Sequence, residues 1–291
     1  MREGLMLSFL FIIMAAVLLA LATNIVWVVV MASAAIAYGS LSPVIAARRL
    51  YFLASALPHA ALFAAVLAIP LTRLLGFFNE YIWAVVISLA LTYSIGYLIH
   101  RGLDPDVATA SFVALTASAS VIAIYYVLTS FPVQTDITAM IIGDPLLASS
   151  TDAIVSAIIA GISLASVLLT YCEQVCIGID RDIVRLAGVR MDAYDALLFS
   201  LLAVTAVALI KIVGFVLEHV LILLPSAISA LSSRSAYGSL YLSLVSSLVA
   251  SITGLYLALV LDIAPAGAAG LILLGVYVLS LLTKRGGNIG A

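Results

Sequence analysis

Charge is scarce in this chain. Twelve basic and fourteen acidic residues are spread over 291 positions, so 9% of residues are charged against 65% hydrophobic. A soluble domain carries about 25% charged residues, which excludes a water-soluble fold. Cysteine is scarcer still: Cys172 and Cys176 are too few for a disulfide framework. Lysine occurs only as Lys211 and Lys284, and neither follows a glycine-rich phosphate loop. A nucleotide-driven process would therefore need its ATP site on another subunit. Strict polar–apolar alternation is also missing, which excludes the strands of a membrane barrel. The opening Met1-Arg2-Glu3 leads into an apolar stretch too long for a secretory signal core.

What is present is a series of solid Leu/Val/Ala/Ile runs. Runs of spanning length fall at 5–22, 25–46, 51–74, 81–100, 107–130, 152–172, 193–214, 237–260 and 266–283. The pattern predicts an all-α, polytopic transmembrane bundle of about 8–10 spans in a single domain over 1–291. A shorter run at 217–232 follows Gly214 and carries Pro225; as a return crossing it brings the total to ten. The segment 137–150, ITAMIIGDPLLASS, is too short to span and is broken by Gly143, Asp144 and Pro145, which predicts an interfacial or re-entrant piece.

The arginines orient the bundle. With Arg48 and Arg49 inside and crossings alternating, ten of the twelve basic residues fall on the same side, Arg73 and Lys211 being the exceptions. Both termini are then expected in the cytoplasm of a multi-pass cell-membrane protein.

The largest cytoplasmic piece is EQVCIGIDRDIVRLAGVRMDAYD, residues 173–195. Asp180 is placed as an N-cap and Gly188 as the residue past a helix end, which delimits a short helix. Ile179, Ile183, Leu186 and Ala187 share one face, while Arg181, Asp182 and Arg185 point elsewhere. Such a face lies on the membrane surface or docks a cytoplasmic partner, and both readings fit the pattern.

Few ionisable groups sit at membrane depth: His59, then Lys211, Glu218 and His219. Groups in such places usually face a bundle interior or a wet cavity and are functional candidates by default. In RRLYFLASALPHAALFAAV (48–66), Pro58 cannot donate to the Ala54 carbonyl and tends to kink the helix. Ser55 lies four residues before His59 and on the same face, so a hydroxyl, a liberated carbonyl and an imidazole line one stripe. Imidazole and oxygen donors suit zinc, manganese and iron; a buried histidine bonded to a neighbouring helix is the competing reading. Lys211 and Glu218, seven residues apart, could pair with each other; alternatively Glu218 and His219 form a carboxylate–imidazole site at the outer mouth.

Several stretches together resemble the permease subunit of metal-ion ABC importers, the zinc, manganese and iron uptake family. RRLYFLASALPHAAL resembles the segment in which such permeases carry an arginine and then an aspartate four residues ahead of a histidine. PDVATASFVAL and MIIGDPLLASSTD are similar to two further blocks, and DRDIVRLAG (180–188) to the family's coupling-helix region. KIVGFVLEHVLILLPSAISA and GLYLALVLDIAPAG resemble the closing blocks, so the likeness runs in order from about residue 30 to 283.

The resemblance implies a homodimeric permease that is not itself an enzyme, with cytoplasmic ABC ATPase subunits docking on Asp180, Arg181, Ile183, Arg185 and Gly188. An extracytoplasmic binding protein would deliver the ion, and no cofactor would be bound permanently. The family's aspartate–histidine pair falls on Ser55 and His59, so the histidine matches and the carboxylate is replaced by a hydroxyl. Glu218 and His219 are the groups expected to restore the lost negative charge along the pathway, on which Lys211 is also expected, and Pro58 and Pro225 are expected to kink helices. A permease for a metal chelate or cobalamin-like cofactor, or a secondary transporter or channel using a proton relay, are the alternatives. Paired carboxylates, a metal-binding histidine pair or a nucleophile–base pair at depth are not expected, which argues against a membrane enzyme.

Overall fold

The computed structural model describes residue 12 and residues 14–16, 18–20, 22–131 and 137–287. Much of the run at 5–22 and most of the break at 131–136 therefore lie outside the described residues. From Ile25 onward the helices are α1 (Ile25–Ala47), α2 (Tyr51–Leu75), α3 (Glu80–His100), α4 (Pro105–Ser130), α5 (Ile137–Ile142), α6 (Ser150–Ile179), α7 (Arg181–Leu186), α8 (Met191–Ser232), α9 (Ala236–Leu261) and α10 (Pro265–Gly287). A 3-10 turn, Pro145–Leu147, lies between α5 and α6, and no strand occurs among the described residues. Eight of these helices are long and apolar enough to cross a membrane.

Side-chain caps start the helices where the polar breaks predict. Asn79 accepts from the Ile82 amide, Asp104 from Asp106 and Val107 with Pro105 at the first helical position, and Ser149 forms a capping box with Asp152. Asp180 caps α7 by accepting from Asp182 and Ile183, and Gly188 follows its end with φ +79.

The predicted runs 193–214 and 217–232 are two helices joined at Gly214, together labelled α8 (Met191–Ser232, 42 residues). A straight helix of that length would be about 63 Å long, twice a bilayer core. It is not straight. Gly214 breaks it at φ 76, ψ 159, a conformation open essentially to glycine alone. Partners on α1 give the direction of each half. Arg48 and Tyr38 meet Asp195 and Thr205, so the first half runs against α1. Tyr38 and Ser42 meet Glu218 and Ser226, so the second half runs along it. The chain reverses at Gly214, as a return crossing requires.

The reversal is seated on the irregular segment after α5. A Cβ on Gly143 would lie 2.0 Å from the Val213 carbonyl oxygen, and one on Gly214 would lie 2.3 Å from the Gly143 nitrogen, so two backbones touch where only glycines fit. The core of the bundle is α1, α2 and α8: 67% of the most apolar stretch of α1 and α2 is buried, against 22% in α3 and α10.

Candidate functional site

The second half of α8 lies against α2 and α1, and this contact brings the two membrane histidines together. His59 and His219 are edge to face with ring centroids 5.4 Å apart, and Phe215 packs on both, at 4.7 Å and 4.5 Å. Both imidazoles are partly buried. Phe215 escaped the sequence reading, although its place four residues before His219 puts it on the same helix face.

His219 is held at both ring nitrogens. Nδ1 lies 2.9 Å from the Phe215 carbonyl oxygen and Nε2 lies 3.0 Å from that of Ser55. A neutral imidazole has one N–H, so it donates to one carbonyl while the other nitrogen faces oxygen lone pairs. Neither nitrogen is free to bind a metal until the ring leaves one of them. The Ser55 carbonyl lies in the turn preceding Pro58, the turn that a proline ring pushes open. The acceptor is thus one residue beyond the Ala54 oxygen that the sequence singles out. The Ser55 hydroxyl is turned to its own helix, donating to the Phe52 carbonyl at 2.7 Å.

Pro225 is treated the same way. The amide of Ser226, next to it, donates to the Ser42 hydroxyl of α1 at 3.0 Å. Proline disturbances in α2 and α8 are therefore each met by a polar group from a facing helix, which makes them tolerable at membrane depth.

The remaining depth residues stand apart from this cluster, and Glu218 pairs with neither Lys211 nor His219. Glu218 is fully buried and turned toward Tyr38 of α1. The Tyr38 hydroxyl lies between the Thr205 carbonyl, 3.4 Å away, and the Glu218 carboxyl. Glu218 and His219 are sequence neighbours, so they leave the helix about 100° apart and form no joint site. Lys211 is exposed, with Nζ 5.9 Å from the Tyr81 ring and near Asp152, and is not paired with Glu218. The reversal at Gly214 separates them: a seven-residue spacing places two groups on one face only when the helix is unbroken. Among the described residues no group of three or more His, Cys, Asp or Glu side chains could hold a metal ion.

Between α6 and α8, α7 forms where Asp180 and Gly188 delimit it. Its buried residue is Val184, packed with Ile177 and Met191, whereas Ile179, Ile183 and Leu186 are exposed at 79%, 64% and 88%. The apolar face is thus left unburied by its own chain. Arg185 lies 3.7 Å from Asp182 on the same helix, and Arg181 is bonded to Asp195 of α8.

Known proteins resemble this chain in sequence and in fold. Over 232 residues the chain is 26% identical to a Thermotoga maritima protein named "probable metal transport system membrane protein", a match spanning 78% of each chain. It is 27% identical over 154 residues to the manganese transport system membrane protein MntB of Synechocystis, covering 53% of this chain and 50% of that one. Among solved structures, PsaBC from Streptococcus pneumoniae in complex with Fab superposes with a TM-score of 0.76 at 19% identity, covering 92% of this chain and 95% of that one. The model of the ABC 3 transport family matches residues 18–284, which takes in every helix from α1 to the last turns of α10. The chain belongs to the ABC 3 transport family.

Proposed function

We propose that this chain is the permease subunit of an ATP-driven importer and that its cargo is a divalent transition-metal ion: zinc, manganese or iron. The observation that carries the reading is the His59–His219 pair beside Pro58 of α2, in a member of a transport family. The names of its relatives, one of them a manganese system, support the choice of cargo. Two copies of the chain would form the pathway between them, and an extracytoplasmic binding protein would hand over the ion. ATP hydrolysis would occur on separate cytoplasmic subunits seated on the apolar face of α7. Both termini would then lie in the cytoplasm, a reading supported by the ten basic residues that fall on one side when the crossings alternate.

In this reading His59 is the first ligand to the moving ion. The ion recruits His219 by drawing its Nε2 away from the Ser55 carbonyl, so that two imidazoles and the released oxygen supply the N and O donors that borderline metals favour. Closure of the ATPase pair pulls on α7 and rearranges α2, exchanging an outward for an inward opening.

The test is uptake into liposomes holding the chain with its ATPase and binding protein, using Mn²⁺, Zn²⁺ and Fe²⁺ in turn. ATP-dependent uptake of one ion, lost in His59→Ala, supports the reading; uptake of none refutes it. A second reading rests on Ser55: a site without the carboxylate suits a metal chelate that brings its own ligands. ATP-dependent uptake of a chelated metal and not of the free ion would favour it.

A further inference from the structure

Three helix ends and α7 meet around one carboxylate on the cytoplasmic side. Arg48 follows the last residue of α1, and its side chain is buried. Its guanidinium pairs with Oδ1 of Asp195 and donates from Nη1 to Oε1 of Gln174 on α6. Gln174 in turn donates from Nε2 to the Tyr194 carbonyl at 3.2 Å, closing the ring of contacts. The second oxygen of Asp195 accepts from Nη2 of Arg181, the first residue of α7, at 2.6 Å. One carboxylate thus holds α7 with one oxygen and the end of α1 with the other.

The chain continues from Arg48 through Arg49, at φ +56, and Leu50 directly into α2 and on to His59. A second joint reinforces the first. A Cβ on Gly178, in the last turn of α6, would lie 2.0 Å from the Ala47 carbonyl oxygen, so α6 sits backbone to backbone on the end of α1.

We infer that Asp195 is the positioning residue that transmits movement of α7 to the helix bearing His59, with Arg181 as its input and Arg48 as its output. This rests on the permease reading above. Charge-assisted bonds are short and directional, so displacing Arg181 must turn the carboxylate and with it the Arg48 guanidinium. The two halves differ in exposure: the Arg48 side chain is 2% exposed and that of Arg181 is 51% exposed. The buried half belongs to the folded core, while the exposed half can be cut without leaving a buried charge unpaired.

Arg181→Ala is therefore the informative variant, studied in the complete complex with ATPase and binding protein in liposomes. Two quantities are measured together: ATP hydrolysed and ions imported, the probe being whichever of Mn²⁺, Zn²⁺ and Fe²⁺ the unmodified complex takes up best. In Arg181→Ala the ions moved per ATP hydrolysed are expected to fall about fivefold or more, a ratio that is independent of how much ATPase remains docked at this residue. Arg181→Lys, which keeps a positive charge beside the second oxygen, is expected to restore much of the ratio. An unchanged ratio in Arg181→Ala, an equal fall in hydrolysis and uptake, or no rescue by lysine would overturn the relay alone. An unmodified complex that imports no ion with ATP would overturn the permease reading, and the relay with it.

Discussion

The Nε2 atom of His219 lies 3.0 Å from the carbonyl oxygen of Ser55, 164 positions earlier in the chain. That contact joins the descending half of α8 to the bent turn of α2 and brings His219 beside His59. It also means that the site as it stands is closed on itself: one histidine is tied to backbone, the other stacks against it, and Phe215 covers both.

Replacing Ser55 by Asp puts a carboxylate four residues before His59. A carboxylate offers a divalent cation far more than a hydroxyl does. Ser55→Asp is expected to lower the Mn²⁺ concentration for half-maximal uptake by about tenfold, equivalent to about 1.4 kcal/mol of binding. Uptake against ion concentration in liposomes checks it, and an unchanged midpoint would place the ion elsewhere.

Gly214→Ala meets two penalties at once: the φ +76 backbone and a Cβ 2.3 Å from the Gly143 nitrogen. Strained backbone costs about 1–3 kcal/mol and overpacking about as much again. The variant should lose about 3 kcal/mol or more, read as a lowered melting temperature in detergent. Gly76→Ala is the control, since nothing lies within 4 Å of its added Cβ; it should lose only the conformational part, about 1–2 kcal/mol.

Glu218 is fully buried and faces only the Tyr38 hydroxyl, which has the Thr205 carbonyl as a second partner. Exchanging a poorly bonded buried carboxyl for an apolar group of similar shape removes a burial cost of about 1–3 kcal/mol. Glu218→Met should keep or raise thermal stability, by up to about 2 kcal/mol. It should also leave metal uptake unchanged, because the carboxyl faces α1 and not the histidine pair. Lost uptake in a well-folded Glu218→Met protein would return this residue to the pathway.

Asp195→Ala leaves the buried Arg48 guanidinium without its counter-ion. Breaking a buried pair by removing one partner costs about 3–5 kcal/mol. Detergent melting curves should show that loss, and a drop of under about 1 kcal/mol would mean the pair is well solvated.

Ile183→Glu and Leu186→Glu change side chains that touch little of their own chain. Stability should move by no more than about 0.5 kcal/mol. Co-purification of the ATPase should fall sharply, and normal recovery with both changes would remove α7 as the docking face.

Much of this was legible before any tertiary structure. Solid apolar runs separated by capping residues located the spans, because a bilayer admits few other solutions for the backbone. Asp180 and Gly188 delimited α7, since a cap and a left-handed glycine act locally. Pro58 marked the turn that accepts a foreign hydrogen bond, to within one residue. The positions of Glu218 and Lys211 were not legible. Helical spacing suggested they could pair, but the spacing holds only within an unbroken helix, and Gly214 turns the chain between them.

Sequence alone determined that this chain is a polytopic helical membrane protein, where its helices begin, and that His59 sits beside a proline, for these follow from composition and short-range backbone chemistry. Tertiary structure decided which groups meet: His59 with His219, Glu218 with Tyr38, and Asp195 with two arginines from different elements. Those meetings depend on the reversal at Gly214 and on how α1, α2 and α8 pack, and close packing between segments distant in the chain leaves no local trace in the residues that take part.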